Sequence, residues 1–162
     1  MRRILATAVA TIIGGTAAVV VSAGPAEAVN VRYRAANHCT VDGHRFDGDI
    51  HTWGKPTPSN PGVMTEVQQW GYRWDTGVNA TFIEGREVVW RDGAWQDAGS
   101  GVGWVNEPIT DNKWHNASKQ GGPQYIGYIL PDRPTAILIR AYVGAFDFCR
   151  IILRPADLYY VG

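Results

Sequence analysis

Two cysteines and two methionines are all the sulfur in 162 residues, and neither charge is in excess, with 15 Lys+Arg against 15 Asp+Glu. Each shortage excludes something. Without accumulated positive charge the chain has no polybasic surface for nucleic acid or for anionic lipid, since both depend on it. There is no Cys-x-x-Cys, and two distant cysteines with scattered histidines do not make a zinc spacing. No Gly-x-Ser-x-Gly elbow marks a serine nucleophile. Beyond the N-terminus no segment sustains a helical apolar period, and no internal repeat is visible. Aromatics, by contrast, are plentiful. Seven Trp, seven Tyr and four Phe supply the large apolar side chains that disordered chains lack.

The N-terminus reads as an export signal. Arg2 and Arg3 open it, Ile4 to Val21 carries no charge, Gly24-Pro25 breaks any helix, and Ala26-Glu27-Ala28 fits the small-x-small cleavage rule. An uncleaved anchor is disfavoured by Thr7, Thr11, Gly14, Gly15 and Thr16, which dilute the apolar run. The expectation is a signal peptide over 1–28 and a secreted, extracellular domain over 29–162, with no membrane contact after cleavage. Export then decides the cysteines. Cys39 and Cys149 both lie in the exported part, and an even count in an oxidising compartment predicts one internal disulfide between them.

Strand-length runs separated by Gly, Pro, Asn and Asp recur along the mature chain, which predicts an all-β fold. The runs are 31–34, 67–74, 81–91, 125–130, 135–143 and 146–154. Lys55 to Gly62, with three Pro in eight residues, is a loop, because Pro lacks the donor that a sheet interior needs. Asp111 to Gly122 is the one place for a short helix. These elements predict a single antiparallel β-sandwich, with a partly closed β-barrel as the alternative. Cys39, Trp53 and the distant Cys149 resemble an immunoglobulin-like architecture. Asp147 stands where that family's tyrosine corner would place Tyr, so the resemblance extends to architecture alone.

Two hairpins can be placed in register. Asp92-Gly93 supplies the positive φ angles of a type I′ turn, which sets Arg91 opposite Ala94 and Trp90 opposite Trp95. The second hairpin joins Thr135–Tyr142 to Phe146–Arg154. A three-residue turn Val143-Gly144-Ala145 keeps Ile137, Ile139 and Ala141 on one face with Asp147, Cys149 and Ile151, whereas a one-residue slip would invert every side chain.

The polar cluster Asp42 to His51 has three carboxylates and two Gly, and an Asp47-Gly48 turn would set His44 opposite His51. Its Asp spacing does not match an EF-hand, and Asp-Gly is common turn chemistry, so no metal ligand is assigned. Catalysis finds little support. His115 lies in a polar segment with Asp111 and Ser118, and Glu84 with Glu87, or Glu66 with Asp75, are pairs that a glycosidase would need at a set separation. No catalytic residue and no cofactor is assigned.

The informative feature is aromatic. Trp70, Tyr72 and Trp74 alternate on one strand face, and the hairpin adds Trp90 and Trp95. Aromatic strips stack on the C–H faces of sugars, yet the same alternation also serves a core. The function expected is a secreted, non-catalytic binding module for an extracellular glycan or protein, with these five residues as candidates. A small hydrolase, with carboxylates or His115 converging in the fold, is the alternative.

Overall fold

The computed structural model describes residues 32–57, 59–60, 64–99, 103–118, 125–127 and 134–162, so the expected signal segment 1–28 lies outside the described residues. The first sheet runs in the order β11 (Tyr159–Tyr160), β1 (Tyr33–Val41), β2 (His44–Thr52), β3 (Met64–Trp74), β7 (His115–Asn116), with β8 (Tyr125–Gly127) also paired to β3. The second runs β10 (Asp147–Leu153), β9 (Thr135–Val143), β4 (Ala80–Arg91), β5 (Ala94–Asp97), with β6 (Gly103–Asn106) also on β4. All pairings are antiparallel, and the sheets share no strand among the described residues. The architecture is therefore the expected β-sandwich.

Alternation builds the core. On β2, Phe46, Ile50 and Thr52 point inward and are buried, while Arg45, Asp47, Asp49 and His51 share the outer face. On β3, Trp70, Tyr72 and Trp74 point inward, and the Phe46 and Trp74 rings meet edge to face at 5.1 Å. Ile83, Ile137, Ile139, Ile151 and Leu153 face them from the second sheet. Each such side chain contributes roughly 1.5–3 kcal/mol on burial. The second sheet packs closely over Gly48, where a Cβ would lie 2.6 Å from Ile151 Cδ1. Cys39 on β1 and Cys149 on β10 form the expected disulfide, which crosses between the sheets with Cα atoms 5.9 Å apart.

Three local expectations are corrected. Asp47-Gly48 is no turn: the chain reverses at Asp42-Gly43, with φ of 49° and 77°, and β2 runs straight through Gly48. Asp42-Gly43 satisfies the type I′ angles, while Gly48 is held in the sheet by the lack of room for a side chain. Residues 111–118 hold bends and β7 in place of a helix, and 119–122 lie outside the described residues. The β9–β10 turn is Gly144-Ala145-Phe146, which pairs Val143 with Asp147 and Tyr142 with Phe148. The register moves by two residues, so the expected faces survive. The cause lies outside the hairpin: Gly144 N donates to Asn79 O at 3.1 Å, and Thr81 Oγ1 donates to Gly144 O at 2.9 Å. These bonds clamp the turn beside β4, bury Val143, and leave Phe146 exposed at the tip.

Candidate functional site

The β4–β5 hairpin forms as the sequence predicts. Asp92 and Gly93 take φ of 52° and 78°, and Trp90 stands opposite Trp95 with ring centroids 5.4 Å apart at 73°. Both rings lie on the outer face of the second sheet. Trp95 and Ile152 pack over a small apolar cluster of Val88, Ala136 and Leu138, which fixes the hairpin against the sheet. Trp90 keeps 39% of its surface exposed. Beside the pair runs a groove of about 450 Å³, walled by Arg150, Ile152 and Arg154 of the β10 segment and by Asn37 and His38 of β1. Arg154 is held by two hydrogen bonds to Asp157, 3.0 and 3.1 Å. Arg150 points to solvent. Among the described residues, no carboxylate lines this groove.

The other aromatic candidates take the core alternative. Trp70, Tyr72 and Trp74 retain 1%, 3% and 0% of their exposure, so no ligand reaches them. Tyr72 Oη accepts from Ile109 N at 3.0 Å, and burial pushes its phenol above the usual range. The physical reason is position: β3 is an interior strand of its sheet, and its outward residues Gln69 and Arg73 already meet water.

Sequence reasoning missed a second cleft, of about 290 Å³, on the outer face of the first sheet. Its centre is Asp49, which is buried. Asp49 Oδ2 accepts from Arg34 Nε at 2.9 Å and Arg34 Nη2 at 2.8 Å, and lies 3.1 Å from His51 Nε2. Next to it, desolvation works against the Asp47 carboxylate, but hydrogen bonds from Arg45 and Arg73 hold it below the usual range. Trp114 lies across Arg34 and Arg73, with their guanidinium carbons 4.7 and 5.6 Å from its ring centroid. Nothing in the spacing of Trp114 announces this, because the cleft draws on four separate strands and the loop before β7.

Of the groups named for hydrolysis, His115 and Asp111 meet and the carboxylate pairs do not. Register places His115 opposite the inward Tyr72, their rings 5.4 Å apart, and His115 Nε2 lies 2.7 Å from Asp111 Oδ1. That contact holds the Asp111 carboxyl below its usual range. His115 thus gives the cleft its backbone, and its ring is on the other side of the sheet from Asp49 and His51. Glu84 and Glu87 are an odd number of residues apart on β4 and point to opposite faces, with Glu84 paired to Arg86 and Arg140. Glu66 and Asp75 lie at opposite ends of β3, roughly 30 Å apart along an extended strand. His44 and His51 likewise fall on opposite faces of β2, and among the described residues no cluster of His, Cys, Asp or Glu is arranged for a metal.

Among the described residues no helix is long and apolar enough to cross a membrane, which with the disulfide is compatible with an extracellular location. Set against protein families, curated proteins and solved structures, the chain matches none.

Proposed function

We propose that the protein is a secreted, non-catalytic binding module and that the Trp90–Trp95 groove takes an acidic extracellular glycan. The observation that carries this reading is the exposed Trp90 beside Trp95 in a groove walled by the solvent-facing Arg150, next to an Arg154 that is already paired with Asp157. An indole face packs against the C–H face of a pyranose, and guanidinium groups pair with carboxylate or sulfate in two-pronged hydrogen bonds. Asn37 and His38 add hydrogen-bonding groups for hydroxyls. The chain's overall neutrality fits a local cationic groove, in contrast to a polybasic surface that would take any polyanion.

The test is affinity electrophoresis through gels holding polygalacturonate, heparin, xylan or soluble cellulose. The expected result is retardation by an acidic polymer, weakened at raised salt, and reduced at least about tenfold in Trp90→Ala and in Arg150→Ala. Retardation by none of the four, or retardation that both variants keep, overturns the reading. The first of those outcomes would leave a protein surface as the partner for the groove.

A further inference from the structure

We infer that the Trp114 cleft on the outer face of the first sheet is a second binding site, for one neutral pyranose residue, separate from the Trp90–Trp95 groove. The cleft is built and electrically balanced. Its buried carboxylate, Asp49, is matched by the Arg34 guanidinium, so an ionic ligand finds no net charge to neutralise. What the cleft does offer is a mixture of donors and acceptors at short range, the pattern that hydroxyls satisfy, since each hydroxyl both donates and accepts. Arg34 and His51 occupy Asp49 Oδ2, which leaves Oδ1 turned toward Gly71. Asn116 spends its Oδ1 on the Ser118 amide at 2.8 Å, which leaves its Nδ2 to donate. Gln69 also lines the cleft, and among the described residues no hydrogen bond engages its side-chain amide.

Gly71 makes the space. A Cβ there would stand 2.8 Å from Asp49 Oδ1 and 2.9 Å from His115 O, so two acceptor oxygens converge on a floor that any side chain would fill. Glycine is not needed for its backbone freedom, because Gly71 lies inside β3 in regular pairing with Asp49 and Asn116. A glycine in a strand interior weakens the strand, and close approach of another group is one reason to retain it. Trp114 supplies the apolar wall. It is held by two guanidinium groups and is still 41% exposed, so its position is set before any ligand arrives. The volume of about 290 Å³ suits a single ring and is too small for an oligomer to lie within it.

The experiment is a proton–nitrogen NMR titration of the intact protein with the methyl glycosides of glucose, galactose, mannose and N-acetylglucosamine, and with glucuronate as the charged control. At least one neutral glycoside should shift the Trp114 indole and Gly71 amide signals with millimolar affinity, and leave the Trp90 indole unmoved. Trp114→Ala should abolish the shift at Gly71, and Gln69→Ala should weaken binding about five- to tenfold with the spectrum otherwise intact. Trp90→Ala should leave this titration unchanged, so failure of the groove reading and failure of this one are separable. The inference is overturned if no neutral glycoside moves both signals, if the Gly71 shift persists in Trp114→Ala, or if glucuronate binds more tightly than every neutral glycoside.

Discussion

The β3 strand and the β4–β5 hairpin each carry tryptophans at alternating or facing positions, and they end on opposite sides of the sandwich wall. Trp70 and Trp74 are sealed between the sheets, whereas Trp90 and Trp95 lie on an outer face. Period-2 alternation decides which residues share a face, and the neighbouring strands decide which face is dry. β3 has β2 on one side and short partners on the other, so its inner face meets the second sheet directly. β5 is an edge strand, and its Trp95 folds back over Val88 and Leu138 on the outer face. Tryptophan in the first setting stabilises the fold, and in the second it remains free to meet a partner.

The largest effect should come from the core member of this comparison. Trp74→Ala removes a wholly buried ring packed against Phe46 and should cost about 3–5 kcal/mol, read as a shift in the denaturant midpoint at constant slope. A loss below about 1 kcal/mol would break the distinction between the two tryptophan sets. The disulfide comes next. Cys39→Ser with Cys149→Ser, which spares the rest of the core, should cost about 2–5 kcal/mol. Because the bridge ties β1 to β10, the strands on both sides of the groove, the double variant should also lose binding at the groove before it loses the Trp74 fluorescence of a packed core.

Much of this fold was legible in the sequence. Export, an even cysteine count and inward Cys149 led to the disulfide, and Asp92-Gly93 placed Trp90 opposite Trp95. The β1–β2 hairpin was not legible as such, because two Asp-Gly pairs five residues apart offer the same turn chemistry. Only the second sheet distinguishes them, since Ile151 and Ile139 leave no room for a side chain at Gly48. The Trp114 cleft was less legible still. Arg34, Asp49, Gly71 and Trp114 share no spacing, and they meet only once strand order is known.

Gly48→Ala turns that steric argument into a measurement. Its Cβ would press on Ile151 Cδ1 and Ile139 Cδ1, so those side chains must turn aside within a packed core, at a cost of about 1–3 kcal/mol despite the gain in strand propensity. Gly93→Ala, strained by its φ of 78° but in open space, tests the turn of the other hairpin by calorimetry and should cost about 1 kcal/mol. If the two variants melted together, close approach at Gly48 would not be the reason for glycine there.

Acid should separate the two sheets. Asp47 and Asp111 are held below their ordinary value near 3.8, by the Arg45 and Arg73 hydrogen bonds and by His115 respectively. A depressed folded-state pKa contributes stability that is full above the unfolded value and is lost as pH falls through the folded one. Stability should therefore decline below pH of about 4, and Asp47→Asn should flatten part of that decline. Among the described residues no carboxylate lines the groove beside Trp90 and Trp95, so their indole signals should follow global unfolding and show no earlier acid transition.

The smallest stability effect, and the sharpest test of the comparison, lies within the hairpin itself. Trp95 is half-buried over Val88, Ala136 and Leu138, so Trp95→Ala strips the cover from an apolar cluster and should cost about 1–2 kcal/mol. Trp90 meets Trp95 edge to face and keeps 39% of its surface exposed, so Trp90→Ala should cost less than Trp95→Ala, about 1 kcal/mol, the worth of one aromatic pair. For binding the order should reverse, because the more exposed ring is the one that a ligand can cover. Thermal melts and gel retardation on both variants measure the two orders side by side. If Trp90→Ala were the costlier in stability and the milder in binding, Trp90 would belong with Trp74 as a structural residue, and the groove would have lost its anchor.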